Sequence, residues 1–162
     1  MTRQVKVTER QIQGFIAAQN DVSAVVRKVE DWDSADCARY EAELNAVTKK
    51  HGFKSLGQYD VVANNISIVS AAIDPQTRMF TDPRKANENE IKDVMANETI
   101  SNSDKKGLLK ELAPAMRAAQ RVRFRRNIAL VLKYYDKLER ATVILFANDD
   151  GSTLRLLRKR IN

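Results

Sequence analysis

Apolar residues return at three- and four-residue steps along most of this chain, and each run begins on a side chain suited to opening a helix. Thr8, followed three residues later by Gln11, reads as a capping box, with Val7 and Ile12 in the two positions of a hydrophobic staple. A first helix is expected from Thr8 to about residue 30, its stripe formed by Ile12, Phe15, Ile16, Val22, Val25, Val26 and Val29. A second is expected from about Ser34 to His51, on Cys37, Tyr40, Leu44 and Val47. Gly52 is placed to take the left-handed conformation that ends a helix, which lets Phe53 fold back on the stripe. Ser55 with Gln58 repeats the capping pattern. It opens a third helix with Leu56, Tyr59, Val62, Ile66, Val69 and Ile73 in register, stopped by Asp74-Pro75.

Asp82-Pro83 sets a capping residue before a proline at the first helical position, where the missing N–H costs nothing, and a weaker fourth helix follows to about Glu98. Ser101 or Ser103 starts a fifth on Leu108, Leu109, Leu112, Met116 and Ala119. Pro114 removes a backbone bond there and predicts a kink or break. The sixth, from about Asn127 to Ala147, carries Ile128, Val131, Leu132, Tyr135, Leu138, Thr142, Leu145 and Phe146 on one face. Thr142 to Phe146 is also rich in β-branched and aromatic residues ahead of Asp150-Gly151, so a short C-terminal hairpin with Thr153 to Leu157 competes at that end. No strands for a parallel sheet lie between the helices, and no repeat period is visible. The pattern therefore gives an all-α fold, a compact bundle of six to seven helices with mostly antiparallel neighbours, in which the first three stripes and the sixth share one core.

Composition fits this reading. The 162 residues are 43% hydrophobic and 30% charged, with five Gly and three Pro, which suits one helical domain over 1–162 rather than disorder or a turn-rich sandwich. Residues 1–7 form an extended N-terminal arm in this reading and 148–162 a basic C-terminal tail. The apolar stretch Ala141 to Ala147 is far shorter than the roughly 20 residues that cross a bilayer. The opening residues, with Arg3, Gln4 and Lys6, do not read as a secretory signal.

Charge changes the picture more than composition does. Residues 1–80 carry ten Lys/Arg against ten Asp/Glu and residues 81–162 eighteen against eleven, so the net charge of +7 belongs to the second half. Arg117, Arg121, Arg123, Arg125, Arg126 and Lys133 occur with no acidic residue between Glu111 and Asp136, and Arg155, Arg158, Lys159 and Arg160 close the chain. Between Gln120 and Arg126, Val122 and Phe124 alternate with Arg121, Arg123 and Arg125 as in an extended connector, which would turn three guanidinium groups one way. Planar guanidinium forks suit phosphate and carboxylate groups. The arginines of both clusters, with Lys159, are thus candidate anion-binding residues for nucleic acid, a lipid headgroup or an acidic protein. The alternative is a basic face that serves solubility, and no zinc-finger spacing, RNA-recognition aromatics or helix-turn-helix signature accompanies it.

Reactive chemistry is sparse. His51 is the only histidine and Cys37 the only cysteine, no glycine-rich phosphate loop or calcium-loop spacing occurs, and no cofactor is called for. A Cys37–His51 nucleophile–base pair fails on distance, because a continuous helix between them separates their Cα atoms by ~21 Å. A buried thiol and a helix-ending imidazole are the plain readings, with an axial haem ligand as the minor alternative for His51. Glu41 with Glu43 and Glu88 with Glu90 are two apart and point to different sides of a helix, as solvated surface does. Asn64, Asn65, Ser67 and Ser70 either line a polar cleft or, as is more usual, face water beside the stripe.

The stretches TERQIQGFIAAQNDVSA, KKHGFKSLGQYDVVANNISIV, IDPQTRMFTDP and NIALVLKYYDKL resemble small helical proteins of alphaproteobacteria that carry signal peptides and have no assigned activity. The resemblance covers roughly residues 8–140. It implies a mature periplasmic or secreted domain whose export signal has been removed; without it, the chain reads as cytoplasmic. It implies no mechanism, and this sequence departs from those proteins in its arginines, Arg125 among them, and in the basic tail after Asp150. Two functions follow as expectations. One is a non-enzymatic helical binding or interaction domain that uses its basic face for an anionic partner, with a homodimer allowed. The other is a small-ligand or cofactor carrier with enzymatic use, contacting its ligand through His51, Tyr134, Tyr135 or the polar third helix.

Overall fold

The computed structural model describes residues 3–28, 37–119 and 121–146. Among these residues every regular element is a helix: α1 (Glu9–Val26), α2 (Cys37–Lys50), α3 (Leu56–Ser70), α4 (Pro83–Ala96), α5 (Asn102–Ala118), α6 (Arg125–Lys133) and α7 (Tyr135–Phe146). No helix of the described residues is long and apolar enough to cross a membrane.

The caps are where the sequence puts them. Thr8 and Gln11 form the full capping box, and the staple residues Val7 and Ile12 are both buried. Ser55 Oγ accepts the Gln58 N–H, while the Gln58 side chain reaches back to the N–H of Lys54 rather than to that of Ser55. Asp82 caps α4 with Pro83 behind it, and Ser101 rather than Ser103 caps α5. Gly52 sits at φ +90°; its N–H bonds Lys49 O and the next N–H, of Phe53, bonds Thr48 O, the paired bonds of a Schellman motif. Phe53 is buried in consequence.

Four expectations need correction. The sixth helix is two, interrupted at Tyr134, whose φ and ψ of −107° and 10° leave helical space. α5 runs unbroken past Pro114. Thr142 to Phe146 end α7 as helix, not strand, and the proposed hairpin partner Thr153 to Leu157 lies outside the described residues. α3 stops at Ser70, short of Ile73. There the Asp74 carboxylate accepts the N–H groups of Gln76 and Thr77 and the Thr77 hydroxyl, a local turn that outcompetes further helix, and Ile73 instead bridges to Phe80. Arg78 closes that turn at φ 58°, with its N–H on Asp74 O.

The chain divides into two units by internal contacts. One comprises Thr2–Ser70 and Phe124–Asn162, with α1, α2, α3, α6 and α7; the other comprises Ala71–Arg123, with Met1, and holds α4 and α5. In the five-helix unit α1 packs against each of the other four helices. Its buried stripe of Ile12, Phe15, Ala18, Val22 and Val25 shares the core with buried Leu44 and Phe53, with Tyr59, Val62, Ile66 and Val69 of α3, and with Leu130, Val131, Tyr135, Leu138 and Ala141 of α6 and α7. Phe15 stacks on Tyr59 at 5.5 Å between centroids, and Phe53 meets the same ring edge-on at 5.2 Å. Within the α4–α5 unit, α4 buries no residue, and Lys105 Nζ donates to Met95 O near the turn between the two helices.

Two buried asparagines hold the N-terminal arm in the five-helix unit. Asn65 Oδ1 accepts the Val5 N–H at 3.0 Å and its Nδ2 donates to Arg3 O at 3.0 Å and to Val61 O. Asn127 Oδ1 accepts the Val7 N–H at 2.9 Å and its Nδ2 donates to Val5 O at 2.7 Å. Backbone groups of residues 3, 5 and 7 are thus bonded along one edge, the period of an extended strand. Asn65 therefore does not face water, as the sequence pattern suggests; Ser67 does.

A glycine sets how closely α1 and α2 approach. A Cβ on Gly14 would stand 2.6 Å from the His51 carbonyl oxygen and 3.3 Å from the Phe53 ring. Gly14→Ala is therefore expected to push the end of α2 off α1 and to lower stability by about 1–3 kcal/mol, despite alanine's better helix propensity. Urea denaturation of both proteins checks this, and an unchanged or higher midpoint would contradict the close packing.

Candidate functional site

The residues proposed to bind anions separate along the chain. Arg125 and Arg126 are the first two residues of α6, and both are exposed. The alternating run that precedes them ends at Phe124, so Arg125 is helical and does not continue the extended alternation of Arg121 and Arg123. Arg117 falls in α5; Arg121 and Arg123 are exposed in the stretch after it, with Arg121 Nε 3.8 Å from Asp82. Arg155, Arg158, Lys159 and Arg160 lie outside the described residues. Within the five-helix unit the basic set is accordingly Arg125 and Arg126, joined by Lys133 and Lys137.

Of these, Lys133 and Lys137 flank Tyr134 at the interruption between α6 and α7, whereas Arg125 and Arg126 stand at the opposite end of α6. Lys133 Nζ and the Tyr134 hydroxyl both donate to Glu9 Oε1 at 2.6 Å, and Gln13 Nε2 donates to the same hydroxyl at 2.9 Å. The ammonium groups of Lys133 and Lys137 lie 5.5 and 5.8 Å from the Tyr134 ring centroid, within cation–π range. The hydrogen bond from Lys133, then that from Tyr134, holds the Glu9 carboxyl below its ordinary pKa, with Arg126 adding a smaller pull; Glu9 in turn raises Lys133. The Glu9 carboxylate thus holds Lys133 directly and lies within electrostatic reach of Arg126. The start of α6 is unlike those of α1, α3, α4 and α5, which Thr8, Ser55, Asp82 and Ser101 cap: Phe124 supplies no side-chain bond, and two arginines stand at the positive end of the helix dipole.

His51 belongs to a different contact. Its Nε2 lies 2.8 Å from Asp21 Oδ2 on α1, the same oxygen that accepts Lys50 Nζ at 3.1 Å. α2 is continuous over its 14 residues from Cys37 to Lys50, which keeps the two ends ~20 Å apart, so the thiol and the imidazole do not act together. Tyr135, the other tyrosine considered as a ligand contact, is buried in the core. A third polar group lies between α1 and α3: Gln19 Nε2 donates to Phe15 O and to the Tyr59 hydroxyl, whose burial pushes its pKa up. Gln19 Oε1 and Ser23 Oγ are buried without a hydrogen-bond partner among the described residues.

Sequence reasoning reached Arg125, Arg126 and Lys133 through the acid-free interval, but not Glu9, Gln13, Tyr134 or Lys137 as one cluster. The four-residue step from Lys133 to Lys137 was a readable signal. Glu9 was not, since its pairing spans 124 positions.

Asp21 gives a pH test. His51 first, then Lys50, holds its carboxyl below the ordinary value, so the folded pKa is lower than the unfolded one. The stabilisation it supplies is present above about pH 4 and is lost as pH falls through the folded pKa. Asp21→Asn is expected to lower the melting temperature at pH 6 and to converge with the wild type toward pH 2; a constant difference across that range would contradict the pairing. Compared with family models, curated proteins and solved structures, the chain matches none.

Proposed function

We propose that this chain is a non-enzymatic helical binding domain that takes an anionic partner on the α6–α7 face of its five-helix unit. The observation that carries this reading is the pair Lys133 and Lys137 over the Tyr134 ring, with Arg126 near enough to pull on Glu9 and Arg125 exposed next to it at the start of α6. Arginine forks match phosphate or carboxylate pairs, and an aromatic ring flanked by ammonium groups offers a flat apolar contact next to them. The start of α6, which no side chain of Phe124 caps, adds the positive end of a helix dipole on the same side as the two arginines. Resemblance to exported alphaproteobacterial proteins adds, as part of the proposal, a site of action in the periplasm or outside the cell.

Fluorescence anisotropy with a labelled single-stranded oligonucleotide tests the reading, with anionic vesicles and an acidic polypeptide run alongside. Binding is expected at low salt, with log affinity falling linearly with log salt at about 0.7 per phosphate engaged. Arg125→Ala with Arg126→Ala is expected to weaken binding and to flatten that slope by about 0.7 for each phosphate that is no longer neutralised. No binding to any of the three polyanions at low salt, or binding that ignores the double substitution, would remove the proposal.

A further inference from the structure

The N-terminal arm is held in a way that a separate peptide could reproduce. Its fixing bonds come from side-chain amides, Asn65 on α3 and Asn127 on α6, and they are made to the arm's backbone. Each amide takes one N–H and gives to one C=O two residues earlier, so the pair reads an extended main chain over residues 3, 5 and 7 whatever its side chains are. Both asparagines are 3% exposed. Without such a chain beside them, both Oδ1 atoms and the Asn127 Nδ2 would lose their described partners, since only the Asn65 Nδ2 keeps a bond, to Val61 O; an extended strand lying there removes that cost. Side-chain selection falls on Val7, which is 3% exposed, whereas Arg3 and Lys6 are exposed and contribute no described side-chain bond to the cleft.

We propose that the α3–α6 cleft is a receptor for an extended peptide segment with short β-branched apolar residues at alternate positions, and that the chain's own arm is its occupant in cis. The partner strand would replace Arg3–Val7 in the same register, with its N–H and C=O groups on Asn65 and Asn127 and an apolar side chain in the place of Val7. Thr8 is the point at which the arm parts from α1, because α1's capping box keeps its bonds within residues 8–11 and the arm's described share in that helix start is the Val7 staple. This cleft is separate from the cationic cluster at Tyr134, and loss of polyanion binding would leave it untouched.

The full-length chain carrying Val7→Asp, which puts a charge where the anchor is buried, is titrated with the acetylated peptide Thr-Arg-Gln-Val-Lys-Val-Thr bearing a fluorophore. The peptide is expected to bind, and at saturation to raise the melting temperature of the variant by roughly 5–10 °C. A peptide with its Arg and Lys replaced by Ser is expected to bind within about threefold, one with its second Val replaced by Asp at least about tenfold more weakly, and Asn65→Ala or Asn127→Ala in the receptor to abolish both. Val5→Pro, which removes the N–H that Asn65 accepts and keeps the Val7 anchor, is the milder releasing variant. Hydrogen exchange on the wild-type chain needs no substitution, and there the Val5 and Val7 amides are expected to exchange ahead of the interior amides of α1 and α3. The proposal falls if folded Val7→Asp and Val5→Pro chains bind no peptide, if the Asp-substituted peptide binds equally well, or if the Val5 and Val7 amides exchange as slowly as the helix interiors. A wild-type chain that light scattering finds dimeric, and that the arm peptide makes monomeric, would assign the cleft to the arm of a second copy instead.

Discussion

Where α1 passes the end of α2, backbone meets backbone with no side chain between, because Gly14 faces the carbonyl of His51. That approach depends on two others. Gly52 must turn left-handed so that the chain reverses directly after His51, and Phe53 must then drop onto the Tyr59 ring, which already stacks on Phe15. The contact joins the helix end, the turn and the aromatic centre of the core into one arrangement, and the Asp21 bonds to Lys50 and His51 close it on the outer side. A larger residue at position 14 would be felt at all of these points, since interiors packed to crystal density relax only in part.

Most of the helical layout was legible from local chemistry. Thr8, Ser55, Asp82 and Gly52 signal their helix ends within a few residues, and capping bonds are satisfied over that same range, so the pattern and the physics share one length scale. The failures are also local in appearance but distant in cause. Tyr134 interrupts what reads as a single helix while its hydroxyl bonds Glu9 and Gln13 of α1. α3 ends early because Asp74 has a better local use for its carboxylate than a further turn of helix provides. Asn65 looked like a surface residue beside the stripe and is instead buried against the arm, a role set by residues 60 positions away. The polar content of α1's buried face, Gln19 and Ser23, was equally hidden, because periodicity counts apolar residues and passes over polar ones in the same register.

The candidate site was half readable for a related reason. Charge composition is a property of sequence, and it pointed to the interval holding Arg125, Arg126 and Lys133. What those charges do depends on the acidic and aromatic groups that come to them in space. Glu9 answers Lys133 from the first turn of α1, so part of the positive charge is already spoken for within the fold. The face therefore offers less free positive charge than its lysines and arginines alone would suggest, with a tyrosine ring between two of the lysines.

The Gln19 amide has an orientational consequence of its own. By donating at full burial to the Tyr59 hydroxyl on α3, it fixes which way α1 turns about its long axis. A rotation by one residue, about 100°, would keep several greasy side chains inside but would carry this amide away from the phenol beside it. Hydrocarbon contacts tolerate such slippage because they have little direction, whereas a hydrogen bond between helices does not. The price of a polar atom in the interior is thus set against a single azimuth for the central helix.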